Sequence, residues 1–390
     1  MDLIEIEKYI KRLHDDEENF KHQSLKSDFK ALRKKEDEPM SLFLSAIFII
    51  QSIFDYILLV YALRFKKDFL KNKRIVFTTM NFCIEKNGSF EDRIVRPLFK
   101  DHILFINHSK EIRINRINNQ RVFNLGGVVK LRSHLFYCNQ SKLMRIFNAY
   151  RSVNDSILKR LRRVEVYTLC YYDFNGLSLV FSKYRQKFIL IEIQHGSIIN
   201  YPPYVEPAPI KIADIFYVKN QHTIDYLKTH LCSIHPSEYR LIPYQKGDIK
   251  NVPGLHLLYA STLEFNGLHP VFKDFLRRNT NKELHVIIRL HPREMDKKDL
   301  FSQELSEYRI KYEFDNSKNW LEGNNIKNLI VISPWSSIIE EAVDNEFTSI
   351  IIDKVGKHRY GSLIDNKNCF YSEDLALIIN NITVNCFEKG

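Results

Sequence analysis

Residues 189–204 read ILIEIQHGSIINYPPY, and the fold turns on how the first five are taken. Ile189-Leu190-Ile191-Glu192-Ile193 has the apolar, β-branched character of a strand buried on both faces, the signature of a parallel sheet covered by helices. Gln194, His195 and Gly196 follow directly. A buried strand that ends in Gln-His-Gly delivers polar groups to the carboxyl edge of an open α/β sheet, the edge at which such sheets bind ligands. The same residues also suit a plain strand-terminal turn that uses Gly196 for backbone freedom.

The flanking sequence carries the same grammar. Upstream, RIVFTTM (74–80), HILFIN (102–107) and VEVYTLCYY (164–172) read as strands. Helical spacing runs through SKLMRIFNAYRSVNDSILKRL (141–161) and GLSLVFSKYRQK (176–187). Downstream, Pro202, Pro203, Pro207 and Pro209 stiffen an irregular loop before the strand ADIFYVKN (213–220) and a helix over 221–230. A Pro/Gly-rich linker near 245–253 then introduces a second series. It comprises strands 255–261, 284–294, 328–337 and 348–353 and helices over 268–279 and 337–345. Strand–helix–strand in this order calls for parallel sheets with right-handed crossovers. Two α/β halves are therefore expected, 71–245 and 254–390, after a helical extension over 1–70.

Composition is compatible with this. The chain of 390 residues has room for two cores, and 44% hydrophobic against 27% charged residues is globular. Six cysteines, at 83, 138, 170, 232, 369 and 386, form no C-x-x-C pair. That scatter fits reduced thiols in a cytosolic setting better than disulfides or a structural zinc. The opening Met-Asp-Leu-Ile-Glu-Ile-Glu is acidic where a secretory signal is basic. A net charge of +11 favours anionic partners: phosphates, nucleic acid or an anionic membrane.

Residues 41–63, SLFLSAIFIIQSIFDYILLVYAL, are long and apolar enough to cross a bilayer, and Arg64, Lys66, Lys67, Lys71, Lys73 and Arg74 follow. Against a span stand Gln51, three serines and Asp55, which at mid-bilayer costs about 2.5–3.5 kcal/mol on insertion scales. A buried or membrane-facing helix is the expectation, with the basic flank suiting an anionic surface.

Two further clusters carry chemistry. In NLIVISPWSSIIEEAVDNEFTSIIID, Ser337 and Glu340 stand in the S-x-x-E relation of a capping box. A helix starting at Ser337 at a sheet edge would offer unpaired N–H groups to a phosphate, with Ser333, Ser336 and Ser337 as added donors. In VIIRLHPRE (286–294) a strand gives out into His291, Pro292, Arg293 and Glu294, with Arg289 just before, a set able to donate to phosphate oxygens. Helix capping and ordinary strand-end polarity are the plain alternatives for each. No D-x-D lies in a suitable loop and no His/Cys set has metal spacing, so neither cofactor nor metal is expected.

Q-H-G after a strand in the first half, H-P-R-E in the second and S-x-x-S-S-x-x-E-E-A beyond it resemble bacterial GT-B-type glycosyltransferases of capsule and O-antigen type. They are similar in particular to the sialyl- and Kdo-transferase group with HP and SS motifs. The resemblance covers roughly residues 165–355. It implies two Rossmann-like domains facing a cleft. His291, Pro292, Arg293, Ser333, Ser336 and Ser337 would lie on the phosphates of a CMP-, UDP- or CDP-linked donor, with Glu340 or Glu341 at the ribose. The first half would bind a glycan or lipid-linked oligosaccharide acceptor along Gln194, Gly196 and an aromatic rim including Tyr204. A base must take the acceptor hydroxyl's proton; Asp173 and His195, each at a strand end, are the candidates. DFNG (173–176) matches the family's acidic motif only loosely, and Asp173 serves equally well as a helix cap. Glu192 reads as a member of a structural ion pair.

The related polymerases that transfer glycerol or ribitol phosphate from CDP-alditols share the H-P and S-S pattern, so an alditol phosphotransferase is the alternative. A nucleic-acid-binding protein lacks support: there is no zinc-finger spacing, RNA-binding-sheet motif or dense Arg/Lys stripe. A membrane-bound scaffold would rest on 41–63 alone. The expected location is cytoplasmic, peripheral at the inner membrane face.

Overall fold

The computed structural model describes residues 3–24, 42–65, 74–78, 83–86, 89–92, 98, 103–108, 116–117, 120–161, 163–194, 196–205, 210–231, 233–243, 247–263, 265–279, 283–317, 320–364 and 368–387. It divides into two compact units. The first comprises Met1–His195, Pro202–Lys219 and Thr223–Pro243; the second comprises Gly196–Tyr201, Asn220–His222 and Tyr244–Gly390.

The first unit is built on strands β1 (Arg74–Thr78), β4 (Ile103–Asn107), β6 (Gln120–Asn124), β7 (Val164–Thr168), β8 (Phe188–Ile193), β9 (Ile215–Val218) and β10 (Glu238–Leu241). They lie in the order β10-β9-β8-β7-β1-β4-β6, every pair parallel. Short strands β5 (Arg116–Ile117), β3 (Ser89–Asp92) and β2 (Cys83–Lys86) extend the far edge. Chain order runs outward both ways from β1, so the direction of winding reverses between β1 and β7, as in a Rossmann sheet. Val76, Phe105, Tyr167, Ile191 and Ile193 fill the sheet's core.

Helices α1 (Leu3–Ser24), α2 (Leu42–Phe65), α3 (Gly126–Leu135) and α4 (Lys142–Leu158) belong to the same unit. The α2 helix turns Ser52 and Asp55 inward. Asp55, 2% exposed, accepts from the Asn124 backbone N–H at 3.2 Å and pairs with Arg121 at 3.2 Å. Ser52 Oγ accepts from the Gly127 N–H at 3.2 Å. Close approach of α2 to α3 depends on Gly127, where a Cβ would lie 2.7 Å from Ser52 Oγ.

In the second unit, β11 (Leu255–Ala260), β12 (Leu284–Arg289), β13 (Lys311–Phe314), β14 (Ile330–Ser333), β15 (Thr348–Ile351) and β16 (Cys369–Tyr371) form one parallel sheet. The order β13-β12-β11-β14-β15-β16 is again Rossmann-like, with its switch point between β11 and β14. Leu257, Tyr259, Val286, Ile288, Ile330, Ile332 and Ile350 form the core, with Tyr259 stacked on Phe272 at 4.5 Å between ring centroids. Two Rossmann-like units with an N-terminal helical region are thus the fold class that the sequence predicts.

Several expected elements shift. The strand read over 284–294 stops at Arg289, and Pro292–Lys297 forms a 3-10 helix; Pro292 has no N–H for a ladder. The helix read over 176–187 begins at Phe174, because Asp173 caps it, and ends at Val180. Strands β10, β13 and β16, and the helices Gly126–Leu135, Lys298–Ser306 and Leu375–Phe387, were not anticipated.

Candidate functional site

In the second unit three loops leave the carboxyl edge side by side, after β11, β12 and β14, at the switch point where open α/β sheets bind ligands. Serines stitch them together. Ser261, just past β11, donates through Oγ to Glu294 Oε2 at 2.6 Å and accepts from the His291 backbone N–H at 2.8 Å. Ser333 donates to the Ala260 carbonyl at 2.9 Å and accepts from the Ser336 N–H at 3.0 Å. The HPRE and SPWSS segments, about forty residues apart in sequence, therefore meet on the end of one strand.

Glu294 is fully buried, and burial pushes its carboxyl pKa up against the Ser261 hydrogen bond and the Lys297 ammonium 3.4 Å away. This acid is a clamp between loops. His291 is half-buried at the same edge. The side chains of Pro292 and Arg293 lie outside the described residues. Behind the SPWSS turn, Tyr360 donates to the Trp335 carbonyl at 3.0 Å, and Gly356 leaves no room for a Cβ beside the Pro334 carbonyl.

The expected capping box does not form. Ser337 adopts helical φ −59°, ψ −12° rather than the extended conformation of a capping residue, and its side chain makes no cap bond. Ser336 Oγ instead accepts from the Ile338 N–H at 3.4 Å. In the helix Ile338–Asp344, Glu340 and Glu341 are both buried. Glu341 accepts from the Trp320 indole N–H at 3.0 Å. Arg289 is likewise committed elsewhere, to the Asp315 carboxylate and the Ser317 carbonyl.

In the first unit the strand-end residues are held by their own fold. Gln194, 1% exposed, accepts from the Lys219 N–H at 2.8 Å and donates its backbone N–H to the Tyr217 carbonyl at 2.8 Å, stapling the end of β8 to β9. Asp173 caps the helix Phe174–Val180, accepting from the Gly176 N–H at 2.5 Å. His195 lies outside the described residues. Gly196, where the chain passes to the second unit's Gly196–Tyr201 segment, is open: a Cβ built on it meets nothing within 4 Å. Tyr204 is no rim residue. It is buried, with its ring 5.5 Å from that of Tyr171 and 5.8 Å from that of Phe216.

Tyr204 donates to Glu192 Oε1 at 2.6 Å, and this acid is what the sequence reading misjudged. Among the described residues the partners of Glu192 are that phenol and the Tyr171 N–H at 3.4 Å, not a cation, and its Oε2 has no hydrogen-bond partner. Burial pushes its pKa up to about 8, the two hydrogen bonds pulling down and nearby Asp173 adding to the rise. An acid alone in the apolar run ILIEI was the available signal: with both faces of the strand covered, it must be buried.

Among the described residues no group of three or more His, Cys, Asp or Glu could hold a metal ion.

No family model matches the chain, and no curated protein matches it. Among solved structures it resembles HepE of Anabaena in complex with UDP, at 13% identity over 81% of this chain and 90% of that one, with a TM-score of 0.43. It also resembles a wall teichoic acid polymerase, TagF, soaked with CDPG, at 10% identity over 87% of each chain and a TM-score of 0.42. A UDP-GlcNAc 2-epimerase from Neisseria meningitidis bound to UDP-GlcNAc matches at 11% identity over 81% and 100%, with a TM-score of 0.40. Likeness at this level does not choose among their reactions.

Proposed function

We propose that the protein is a glycosyltransferase of GT-B type that moves a sugar from a nucleotide-activated donor to a surface glycan or lipid-linked acceptor, without a metal, at an anionic membrane surface. What supports the reading is the meeting of the HPRE and SPWSS segments on the end of β11, at the sheet's switch point. The nucleotide end of the donor would lie there, with His291, Arg293, Ser336 and Ser337 toward its phosphates and Glu340 toward the ribose. The acceptor would be received by the first unit, where Asp173 and His195 are the candidate bases, with Gly196 next in sequence leaving space.

Titration calorimetry of the full chain with CMP, UDP and CDP tests this. One of them should bind, and His291→Ala should weaken it about tenfold, the scale of one lost charge-assisted hydrogen bond. Binding of none, or unchanged binding by His291→Ala, refutes the reading. A second reading, phosphotransfer from a CDP-alditol, shares the HP and SS motifs. Donor labelled in the phosphate next to the transferred group separates the two, since that label reaches the product only in phosphotransfer.

A further inference from the structure

The α2 helix is inverted relative to a helix on the surface of a water-soluble domain. Its inward face carries Ser52 and Asp55, both buried and hydrogen-bonded to the body of the first unit. Half-buried Tyr56 joins them, donating to Ser156 Oγ at 2.8 Å and accepting from Arg132 at 3.0 Å. The outward face is apolar. Ile50, Phe54, Ile57, Tyr61 and Phe65 are 66%, 60%, 56%, 54% and 60% exposed. Spaced at i, i+4, i+7, i+11 and i+15, they fall on one side of the helix, opposite Phe48, Ser52, Asp55, Leu59 and Ala62. Single exposed apolar residues are ordinary, but a contiguous row of five over some four turns marks an interaction surface.

Its neighbourhood says what kind. The α3 helix lies alongside α2, with Gly127 against Ser52 and Arg132 reaching Tyr56. Just past those contacts α3 ends in Leu135 and Phe136, 62% and 72% exposed. Exposed Arg64 stands in the last turn of α2, and the sequence continues through Lys66, Lys67, Lys71 and Lys73. An apolar stripe with exposed Arg64 at its end, followed in sequence by lysines, complements a bilayer with anionic headgroups: apolar side chains enter the acyl boundary while cationic groups stay at the phosphates.

We propose that α2 is an interfacial docking helix that lies in the plane of an anionic membrane through Ile50, Phe54, Ile57, Tyr61 and Phe65, held to the first unit by Asp55, Ser52 and Tyr56. It does not span. A span would strip Asp55 of Arg121 and Asn124 and leave the carboxylate in hydrocarbon. The inference deepens the membrane location proposed above but needs no nucleotide, so the two fail separately.

Flotation of the full chain with vesicles of equal parts phosphatidylcholine and phosphatidylglycerol, without nucleotide, reads the docking. Wild type should float, and less so at high salt or on phosphatidylcholine alone. Phe54→Asp and Ile57→Asp should each lower partitioning about tenfold or more, the scale of withholding one large apolar side chain from the membrane. Both sites are exposed, so the circular dichroism spectrum and thermal transition should be unchanged. Single cysteines at 50, 57 and 65 carrying a nitroxide should report the same shallow depth. No flotation, or flotation indifferent to both aspartates, overturns the proposal. So does depth that peaks at 57, which would mean a span, or a lipid-free dimer abolished by the same aspartates, which would mean a second copy covers the stripe.

Discussion

Glu192 offers a measurable test of how the first unit is built. Its carboxyl is fully buried at the end of β8 and pushed up to about 8, whereas an unfolded chain ionises glutamate near 4.5. The sign follows from proton counting. Between those two values the folded protein holds a proton that the unfolded chain has lost, so unfolding releases a proton and stability falls as pH rises. The contribution is whole below about pH 4.5 and is lost progressively up to about pH 8. From about pH 5 to pH 8 the loss amounts to ~2.5 pK units, or about 3 kcal/mol. Glu192→Gln removes this titration while keeping an oxygen to accept the Tyr204 hydrogen bond, and the Oε2 position it fills with an amide has no partner to lose. The variant should match wild type at the acidic end and exceed it by about 2–3 kcal/mol at pH 8.

Urea unfolding across that range, followed by circular dichroism, gives the comparison. Trp320 and Trp335 both belong to the second unit, so their fluorescence serves as an internal reference that the substitution should leave alone if the units unfold separately. Parallel stability–pH curves for wild type and Glu192→Gln would refute the reasoning, since the carboxyl would then titrate alike in both states.

Two smaller predictions follow from geometry. Asp173→Ala should cost about 1 kcal/mol by removing the cap on Phe174–Val180, and Asp173→Asn, which still caps, should recover most of it in urea unfolding. Gly356→Ala should destabilise by about 1–3 kcal/mol and, on the proposed function, weaken nucleotide binding as well, because the new Cβ meets the Pro334 carbonyl, a backbone atom that can yield only by moving the SPWSS turn. Thermal melts with and without whichever of CMP, UDP and CDP binds read both effects at once.

Much of the fold was legible, because parallel strands covered on both faces must be continuously apolar. ILIEI, LHVII and LIVIS announce themselves, and β8, Phe188–Ile193, covers the expected 189–193. Missed elements lack that pattern. Strands β10 and β13, EYRL and KYEF, are edge strands whose half-exposed charged residues read as loop. The α3 helix opens on Gly126 and Gly127, which argue locally against a helix, and the close approach of Ser52 explains Gly127. Site residues were harder still, since a polar residue at a strand end can face a ligand or bind its own backbone. Gln194 and Glu341 have the composition of ligand groups, yet their partners, Lys219 and Trp320, stand twenty or more positions away, beyond any local pattern.

This difference between the units bears on the proposed chemistry. At the edge of the second unit Ser261 and Ser333 are spent on holding loops together, and what they hold is the stretch bearing His291 and Ser336. At the edge of the first unit Gln194, Tyr204 and Glu192 are spent on the core itself. A general base must be ionised at the working pH and within reach of the acceptor hydroxyl. Glu192 fails on both counts: its pKa near 8 keeps it protonated at neutral pH, and it is sealed beneath Tyr204. The raised pKa is thus a mark of burial rather than of catalytic tuning. In the proposed transfer the candidate bases are half-buried Asp173 and the histidine that follows Gln194, and replacing each in turn by Asn separates them. The one whose loss lowers turnover a hundredfold or more at unchanged nucleotide affinity is the base, the range expected when proton transfer alone is removed.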